Sequence, residues 1–398
     1  MAIAKRLLGG IIIDNVKFVG LIILALHYCS CVANGAEFPG VRRALAGGAG
    51  PAVFDITKHG AQPDPSFDNV EAIMDAWLAA CNNPTPAKVV IPEGEFLTGP
   101  VVFQGPCKAK PITVEVLGTV RATTDISEYT SGEWFMFEYI DGLILTGTGT
   151  FHGSGETAWQ YNNCANNNRC QMLPTSLKFS HLNNTEVSGI TSINSKGFHI
   201  FLLYSQNFTA ININATAPDE SPNTDGFHTS NCNLVTIRDS FFGTGDDCVS
   251  IGHGTTNAHV SGITCGPGHG LSVGSLGKYD DEKDVTDITF KNCTLTNTTN
   301  GARIKTWANS PPSQALNIRY ENIVLNAVKN PIIIDQNYGA KKKATGTVYA
   351  PSGGTERERG VSMFQLLSQR SEPSTVKETN YWCPLLFLKD AKCNKIED

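Results

Sequence analysis

The chain contains 398 residues, of which 41% are apolar and 17% are charged, and its formal net charge is −6 at pH 7. The apolar fraction is large enough for a sizeable core and excludes wholesale disorder. The acidic balance, without a large basic block, argues against a nucleic-acid partner. After the first forty residues no run of about twenty uncharged apolar residues occurs, which excludes a multispanning membrane protein.

Residues 1–36 have the features of a secretory signal peptide. Lys5 and Arg6 precede an apolar run from Phe18 to Leu26, and small residues follow near Ala33 to Ala36. This order is typical of a cleavable leader. The alternative is a retained signal anchor, which the short apolar run disfavours because a span needs about 20 residues. We therefore expect a protein secreted to the extracellular space or cell wall, with no membrane attachment after cleavage.

Cysteines and glycosylation sequons also favour secretion. Two of the 12 cysteines, Cys29 and Cys31, leave with the leader, and the remaining ten are an even number suited to disulfides. Two pairs are candidates for bridges, with the pairing left open: Cys164 with Cys170, and Cys248 with Cys265. Five N-glycosylation sequons follow the leader, at Asn183, Asn207, Asn214, Asn292 and Asn297.

The first predicted element of the mature chain is an amphipathic helix. Ser66 or Asp68 can cap it, and the apolar residues that follow recur with helical spacing on one face. Trp77 lies in this stripe, so we expect it to pack in the core and not to bind a ligand. The stripe consists of Val70, Ile73, Met74, Trp77, Leu78 and Cys81.

Short runs rich in β-branched residues follow the helix and predict strands, with Gly, Asn, Asp and Pro between them. Their even spacing is compatible with a sandwich or a barrel. The runs are Val89–Ile91, Ile112–Leu117, Leu143–Thr146, Val187–Ile193, Ile211–Ile213, Val235–Ile237, Val260–Ile263, Ile288–Phe290 and Ile332–Ile334.

A finer repeat favours a different architecture. Similar tripeptides begin at Gly226, Cys248 and Gly270, two steps of 22 residues, and looser steps of 32 and 29 lead to Ala302 and Pro331. A period of about 20 to 50 residues marks a solenoid, in which each repeat buries its apolar side on its neighbours. The sequence therefore predicts an all-β, right-handed parallel β-helix over residues 37–338. The early helix is expected to cap the open end of its apolar stack.

The same repeat places polar groups on one surface. Asp225, Asp247 and His269 are separated by steps of 22 residues, and equivalent positions on successive coils lie about 4.8 Å apart. They should therefore stack in a column beside Asp246. Carboxylates held this close cannot all ionise easily, so the pKa of at least one rises. Such a site offers a proton-holding acid next to a charged base at mildly acidic pH.

Two cations are predicted beside this column. Arg303 and Lys305 face outward from their strand and Ile304 faces inward, because neighbours in a strand alternate. Carboxylates for proton transfer next to such cations suit the hydrolysis of an acidic polysaccharide. Taken singly, the segments have simpler interpretations, including a calcium loop at residues 245–247 and a turn around His269. Their joint position on one repeat favours catalysis.

Four short motifs occur in order along the chain: Asn223-Thr224-Asp225, Gly245-Asp246-Asp247, Gly268-His269-Gly270 and Arg303-Ile304-Lys305. In this order and spacing they resemble the signatures of the polygalacturonases, family 28 of the glycoside hydrolases. The resemblance runs from about Phe54 to Tyr338. The segments Cys164 to Lys178 and Cys265 to Tyr279 are similar in particular to those of plant, pollen-type exopolygalacturonases.

The resemblance implies a right-handed parallel β-helix of the pectin-lyase-like kind. It implies an enzyme that hydrolyses the α-1,4-galacturonosyl linkages of pectin or polygalacturonan with inversion, without a metal or other cofactor. The pollen-type segments favour exo action, and endo action stays open because it depends on whether the Asn-rich insert around Cys164 to Cys170 closes one end of the groove. We expect a monomer whose partner is this polysaccharide.

The resemblance also implies catalytic roles. Asp246 would be the general acid on the glycosidic oxygen, and Asp225 and Asp247 would activate the attacking water. His269 would tune the acid or hold its geometry. Four further residues would bind substrate, the first two of them through the galacturonate carboxylate: Arg303, Lys305, Tyr338 and Asn223.

Two geometric conditions accompany these roles. Carboxyl groups about 5 Å apart are typical of retaining glycosidases, whereas inverting pairs lie about 6.5–9.5 Å apart, and here the family resemblance favours inversion. Asp246 and Asp247 are neighbours, which face opposite ways in a regular strand. Both can reach one groove if Asp246 lies at a bend or bulge after residues 243–245.

After Tyr338 the resemblance ends, and residues 339–398 form an atypical tail that we expect to be poorly ordered or weakly packed. A terminal coil without its cover exposes apolar core and strand edges. An alternative hypothesis is therefore a cell-wall protein that binds pectin with negligible turnover. A third is a calcium-dependent pectate lyase, for which the sequence has no persuasive cluster of extra calcium ligands.

Overall fold

The computed structural model describes residues 50–164, 170–308, 310–339, 381–382 and 394–395. The predicted leader at residues 1–36 lies outside these ranges, and the expectation of a weakly packed tail falls almost wholly outside them. Within the described ranges no helix is both long and apolar enough to cross a membrane.

The strands are short and follow one another closely along the chain. Four 3-10 helices accompany them, at Ile56–His59, Ile126–Glu128, Gly155–Thr157 and Trp159–Tyr161. In chain order the strands are β1 (Ala52–Asp55), β2 (Ala87–Ile91), β3 (Glu95–Thr98), β4 (Val101–Gln104), β5 (Ile112–Val116), β6 (Thr119–Ala122), β7 (Glu133–Glu138), β8 (Leu143–Gly147), β9 (Thr150–His152), β10 (Thr175–Ser180), β11 (Asn183–Ser188), β12 (Thr191–Ile193), β13 (Ile200–Leu203), β14 (Gln206–Ile211), β15 (Asn214–Thr216), β16 (Phe227–Ser230), β17 (Asn233–Arg238), β18 (Phe241–Gly243), β19 (Val249–Ile251), β20 (Thr256–Ser261), β21 (Thr264–Cys265), β22 (Leu271–Leu276), β23 (Val285–Thr296), β24 (Asn300–Trp307), β25 (Ala315–Asn326), β26 (Asn330–Tyr338), β27 (Tyr381–Trp382) and β28 (Asn394–Lys395).

The strands β1 to β26 wind into the predicted right-handed parallel β-helix. The first ladder runs through β1, β2, β5, β8, β11, β14, β17, β20, β23 and β25, and the second through β3, β6, β9, β12, β15, β18 and β21 into β23. The third ladder, a separate sheet, runs from β4 through β7, β10, β13, β16, β19, β22 and β24 to β26. All of these pairings are parallel, whereas β27 and β28 form an antiparallel pair.

Register alignment stacks like residues inside the coils. In the first ladder one aligned position is fully or almost fully buried in every strand from β2 to β25. A column of this kind lets each coil bury its apolar side only against the coils next to it, which is the packing of a solenoid. The column contains Val89, Val114, Leu145, Val187, Ala210, Ile237, Val260, Phe290 and Tyr320.

The predicted helix is α1 (Val70–Cys81), and it packs against β1, β2 and β4 at the start of the β-helix. Trp77 is completely buried and stacks on Phe103 with ring centroids 4.5 Å apart. Two details of the prediction are wrong. The N-cap residue is Asn69 and not Ser66 or Asp68, and Leu78, assigned to the apolar stripe, is 52% exposed.

Corners between the first and second ladders explain where strand predictions fail. The predicted strand Val187–Ile193 is broken between β11 and β12 at Gly189, which has a left-handed backbone (φ 75°). The runs Ile211–Ile213 and Val260–Ile263 similarly extend past the ends of β14 and β20. The isoleucines at these corners still point into the core, so the apolar pattern continues where the hydrogen-bonded strand has stopped.

The two longer repeat steps predicted from the sequence, to Ala302 and Pro331, are each wrong by one residue. The register pairs Leu271 with Ala302 and Ala302 with Ile332, so the steps are 31 and 30 residues and not 32 and 29. Long loops between these coils carry no repeated motif that could fix the alignment. The two regular steps of 22 are correct, because Phe227 pairs with Val249 and Val249 with Leu271.

A second column crosses the first ladder near the start of each strand. The residues in this column have left-handed backbone conformations. Asn and Asp tolerate this conformation, whereas for other L-residues it is about 1–2 kcal/mol less stable. Leu234 occupies one position of this column although its side chain is 48% exposed. The column contains Asn184, Asn207, Leu234, Asn257, Asp287 and Asn317, with φ between 53° and 60°.

Leu234→Asn is therefore expected to raise the free energy of unfolding by about 1 kcal/mol, since it relieves backbone strain at a site without core contacts. The new amide can also bond along the column, as the Asn207 Nδ2 already does by donating to Asn184 Oδ1 at 2.8 Å. Urea unfolding measures the change. Leu316→Asn is the control, because Leu316 is similarly exposed (36%) in β25. Equal stability of the two variants would contradict the assignment of strain to Leu234.

Candidate active site

The predicted polar column lies in the turns that lead from the second ladder into the third. Asp225 precedes β16, Asp246 and Asp247 precede β19, and His269 precedes β22. The 22-residue register of these strands brings the three turns side by side. Residues 244–246 form a bend, so the two neighbouring aspartates reach the same region, as the geometric condition from the sequence requires.

Asp247 is completely buried and is the most heavily bonded of the acids. Its Oδ1 accepts hydrogen bonds from Arg303 Nη2 and from Ser272 Oγ (2.7 Å), and its Oδ2 accepts one from Lys305 Nζ at 2.7 Å. Burial by itself would raise the pKa of Asp247, but the charges and hydrogen bonds of Lys305 and Arg303 outweigh it and lower this pKa to about 2. Asp247 is therefore an anion at every pH of interest.

Asp225 has the opposite electrostatics. It is 5% exposed, and its Oδ2 accepts one hydrogen bond, from Ser250 Oγ at 2.6 Å. Burial, and then the negative charges of Asp246 and Asp247, raise the pKa of Asp225 well above its ordinary value. The site thus contains one carboxyl that keeps its proton readily and one that does not.

Asp246 is the most accessible of the three acids, with 18% of its side chain exposed. Its Oδ1 accepts from the Asp247 backbone N–H at 2.9 Å and lies 2.8 Å from His269 Nδ1. The hydrogen bond to Asp246 raises the pKa of His269, and burial opposes this effect only in part. The two side chains therefore share a proton next to solvent.

Asn223 completes the surroundings of Asp246. Its backbone is left-handed (φ 54°), and its Nδ2 donates to Asp246 Oδ2 at 3.3 Å. Its Oδ1 accepts from Asn162 Nδ2 at 3.1 Å, which joins it to the loop that enters Cys164. Asn223 thus lies between the acids and that loop.

Arg303 and Lys305 project from the same face of β24, and Ile304 packs against the core, as predicted. Neither cation is free, because both are paired with Asp247. Sequence reasoning assigned them to a substrate carboxylate and missed this internal partner. Tyr338, from β26, joins the group, since its ring centroid lies 5.3 Å from Lys305 Nζ.

Three further side chains support the acids and were not predicted as site residues. Ser250 and Ser272 donate to Asp225 and Asp247, respectively. His228 Nδ1 lies 2.6 Å from Ser250 Oγ, and burial lowers the pKa of His228 to about 4. The available signal was the repeat itself, because register aligns His228 with Ser250 and Ser250 with Ser272.

Disulfides fix the turns around this site. Both candidate pairs, Cys164–Cys170 and Cys248–Cys265, are bonded. The second begins at the residue directly after Asp247 and ties that turn to the next coil. A third bond, Cys81–Cys107, anchors the end of α1. Among the described cysteines, Cys232 and Cys293 are buried and unpaired with another cysteine.

The same cluster offers possible metal ligands. Atoms of Asp246, Asp247 and His269 lie within 4.8 Å of one another. However, both oxygens of Asp247 already bind Arg303 and Lys305, whose positive charges repel a further cation. This donor set fits a network of proton-sharing groups better than it fits a metal ion.

Comparison with known proteins agrees with this architecture. The model of glycosyl hydrolases family 28 matches residues 81–352. An exopolygalacturonase of Arabidopsis thaliana is 54% identical over 82% of this chain and 77% of its own length. An exopolygalacturonase of Zea mays is 44% identical over 84% of this chain and 80% of its own length.

Solved structures show the same fold. The endo-xylogalacturonan hydrolase of Aspergillus tubingensis has a TM-score of 0.64 with 26% identity, covering 72% of this chain and 78% of its own. A hyperthermoactive exopolygalacturonase of Thermotoga maritima has a TM-score of 0.62 with 21% identity, covering 71% of this chain and 75% of its own. At 21% identity, the second likeness concerns the fold alone.

The opposite electrostatics of Asp225 and Asp247 predict opposite effects of Asp→Asn variants on stability. The folded-state pKa of Asp225 is raised, so its ionisation costs stability as pH rises above about 3.8. Asp225→Asn should therefore stabilise the protein at pH 7, because it removes the cost of ionising a buried carboxyl group. Near pH 3 the gain should vanish.

Asp247→Asn should instead destabilise the protein at pH 7 by about 3–5 kcal/mol, because it leaves two buried cations without their anion. The pKa of Asp247 is depressed, so its contribution is present above its ordinary value of 3.8 and is lost as pH falls through about 2. Urea unfolding of both variants at pH 7 and pH 3 measures these effects. An Asp225→Asn protein less stable than the parent at pH 7 would refute the assignment.

Proposed function

Because this chain belongs to family 28 of the glycosyl hydrolases, we propose that it is a secreted polygalacturonase that hydrolyses the α-1,4-galacturonosyl linkages of pectin. The observation that carries the proposal is the cluster of Asp225, Asp246 and Asp247, in which only Asp247 is neutralised by two cations. The names of the plant relatives, exopolygalacturonase, support action from a chain end.

Asp246 is the general acid in this mechanism. It is the acid nearest solvent, and the proton that it shares with His269 at 2.8 Å can pass to the glycosidic oxygen. Asp225 and Asp247 activate the attacking water on the opposite side of the bond: the ionised Asp247 accepts its proton and Asp225 forms a hydrogen bond to it, which gives inversion. Asp247 stays charged at mildly acidic pH and so provides a carboxylate that can act as the base, whereas burial and the charges of Asp246 and Asp247 raise the pKa of Asp225.

The substrate carboxylate binds at Arg303 and Lys305, where it shares these cations with Asp247. A lysine ammonium has three donors and a guanidinium has five, so hydrogen atoms remain after the bonds to Asp247 and Ser272. Asn223 contributes to the groove next to Asp246, and Tyr338 contributes to it next to Lys305. This arrangement requires no metal, and the partner is pectin or polygalacturonic acid.

The Cys164–Cys170 loop supports the exo mode. Asn162, two residues before Cys164, donates to Asn223 beside the general acid, so the chain enters this loop next to the acids. A blocked end admits only the terminal sugar of a chain. Secretion is supported by the three disulfides and by the exposure of all five sequon asparagines.

Asp246→Asn should reduce the release of reducing ends from polygalacturonic acid by about 10²–10⁴-fold at mildly acidic pH, since the general acid is lost. Asp239→Asn is the control, because Asp239 is exposed, pairs only with Arg238 and lies on the same coil. The products also decide the mode of action, since an exo enzyme releases monomer and an endo enzyme a ladder.

Two results would overturn this reading. A folded parent protein that retains pectin on a column but releases no sugar would identify the pectin-binding wall protein instead. Chelator-sensitive absorbance from an unsaturated product would identify a lyase.

His269→Gln is expected to move the descending limb of the pH–rate profile to lower pH. The raised pKa of His269 keeps a proton in its pair with Asp246 as pH rises, and the profile reports the loss of that proton. Without the imidazole, the pair lacks the group that holds this proton as pH rises. The measurement is kcat/KM on polygalacturonate across pH. An unchanged descending limb would show that His269 does not hold the proton.

A further inference from the structure

The proposed substrate raises an electrostatic problem at this site. Polygalacturonate carries a carboxylate on every sugar, whereas the site itself contains three aspartates. Its two strand cations, Arg303 and Lys305, are both paired with Asp247. An incoming polyanion therefore needs positive charge that the catalytic groups have not already used.

Lys278 is such a cation. It follows β22, its side chain is exposed, and in the described part of the chain no carboxylate lies within ion-pair distance of its ammonium. Its Nζ lies 5.4 Å from the ring centroid of Trp307 and 5.3 Å from that of Tyr279. Aromatic faces attract the ammonium and hold it in place without neutralising it.

The loop that carries Lys278 is tightly bonded. The Glu282 carboxylate accepts the backbone N–H groups of Gly277 (2.6 Å), Lys278 (2.9 Å) and Tyr279 (3.2 Å). Gly277 has a left-handed backbone (φ 77°), and a Cβ there would lie 2.1 Å from the Cβ of Ser310. The Glu282 carboxylate is therefore used by the backbone of this loop, and the lysine is presented from a fixed turn.

Aromatic contacts connect Lys278 to the catalytic cations. Trp307 is the last residue of β24, two positions after Lys305. Its ring meets Tyr338 edge to face at 5.4 Å, and Tyr338 in turn lies 5.3 Å from Lys305 Nζ. Lys278 thus lies past the ends of β22 and β24, on the side of Tyr338, whereas Asn223 lies in the turn before β16.

We propose that Lys278, with Trp307 and Tyr279, forms a second carboxylate-binding subsite for an acidic polysaccharide. The ammonium binds the carboxylate of a sugar that follows the one held at Arg303 and Lys305, and the rings pack against the apolar face of the sugar. This subsite rests on the proposed function and deepens it. Because the subsite binds one more sugar, the enzyme should prefer longer galacturonan chains to shorter ones.

Kinetics on short oligomers test the subsite. For the Lys278→Gln variant, the ratio of kcat/KM on trigalacturonate to that on digalacturonate should fall about tenfold, a loss of about 1.4 kcal/mol. Lys278→Arg should retain most of the preference, since a guanidinium also binds carboxylate and stacks on aromatic rings. Lys283→Gln is the matched control, an exposed lysine five residues away, and should leave the ratio unchanged.

Binding to an inactive background separates this proposal from the proposed function. Calorimetry with trigalacturonate on Asp246→Asn, with and without Lys278→Gln, should give weaker binding for the double variant. Equal binding, with a parent that hydrolyses polygalacturonate, would overturn the subsite alone. A parent that neither binds nor cleaves galacturonan would overturn both.

Discussion

The bonding of Asp247 to Arg303 and Lys305 is the interaction on which the candidate site depends. It joins three coils, since Asp247 precedes β19, Ser272 lies on β22 and the two cations lie on β24. A buried carboxylate would ordinarily take up a proton, and these cations prevent it. A permanent negative charge then stands beside Asp225, and after burial and the charge of Asp246 it is a further cause of the raised pKa of Asp225.

Regular spacing in the third ladder makes this interaction possible. The steps between paired residues there are 23 and 27 before the acids, 22 and 22 through them, and 31 and 30 after them. The extra residues lie in the loops between strands, so the strands stay aligned while the loops differ in length. Short coils bring the acids together, and the longer ones supply the loops that carry Cys164 and Lys278.

The features that follow from the sequence repeat could be predicted, whereas the contacts between particular side chains could not. The β-helix and the cluster of acids follow from apolar patterning and from a 22-residue period, which register converts directly into neighbouring positions. The roles of Ser250 and His228 lay on the same period, but a serine or histidine has no chemical signature until its bonded partner is known. The pairing of both cations with Asp247 could not be predicted either. Strand alternation shows which face of the strand a side chain lies on, but it does not show which residue that side chain contacts.

Errors at the edges of elements have a similar origin. Corner isoleucines continue the apolar pattern because they point inward whether or not their backbone is in a strand. Leu78 fits the helical stripe by spacing, yet α1 is buried mainly through its alanines and Trp77. The Cys81–Cys107 bond joins residues 26 apart that share no motif. Each of these features depends on which residues of neighbouring segments pack against the position, and the local sequence does not contain that information.

The order in which the coils carry these groups has a consequence for fraying. In a solenoid each coil touches only its neighbours, so unwinding proceeds inward from an end. Among the described coils, the last strand of the third ladder is β26 with Tyr338, and β24 with Arg303 and Lys305 lies next to it. Detachment of β24 would strip Asp247 of its counter-ions while most coils are still wound. Local unwinding from that side would therefore break the ion pairs of Asp247 before circular dichroism showed a loss of most of the β-structure.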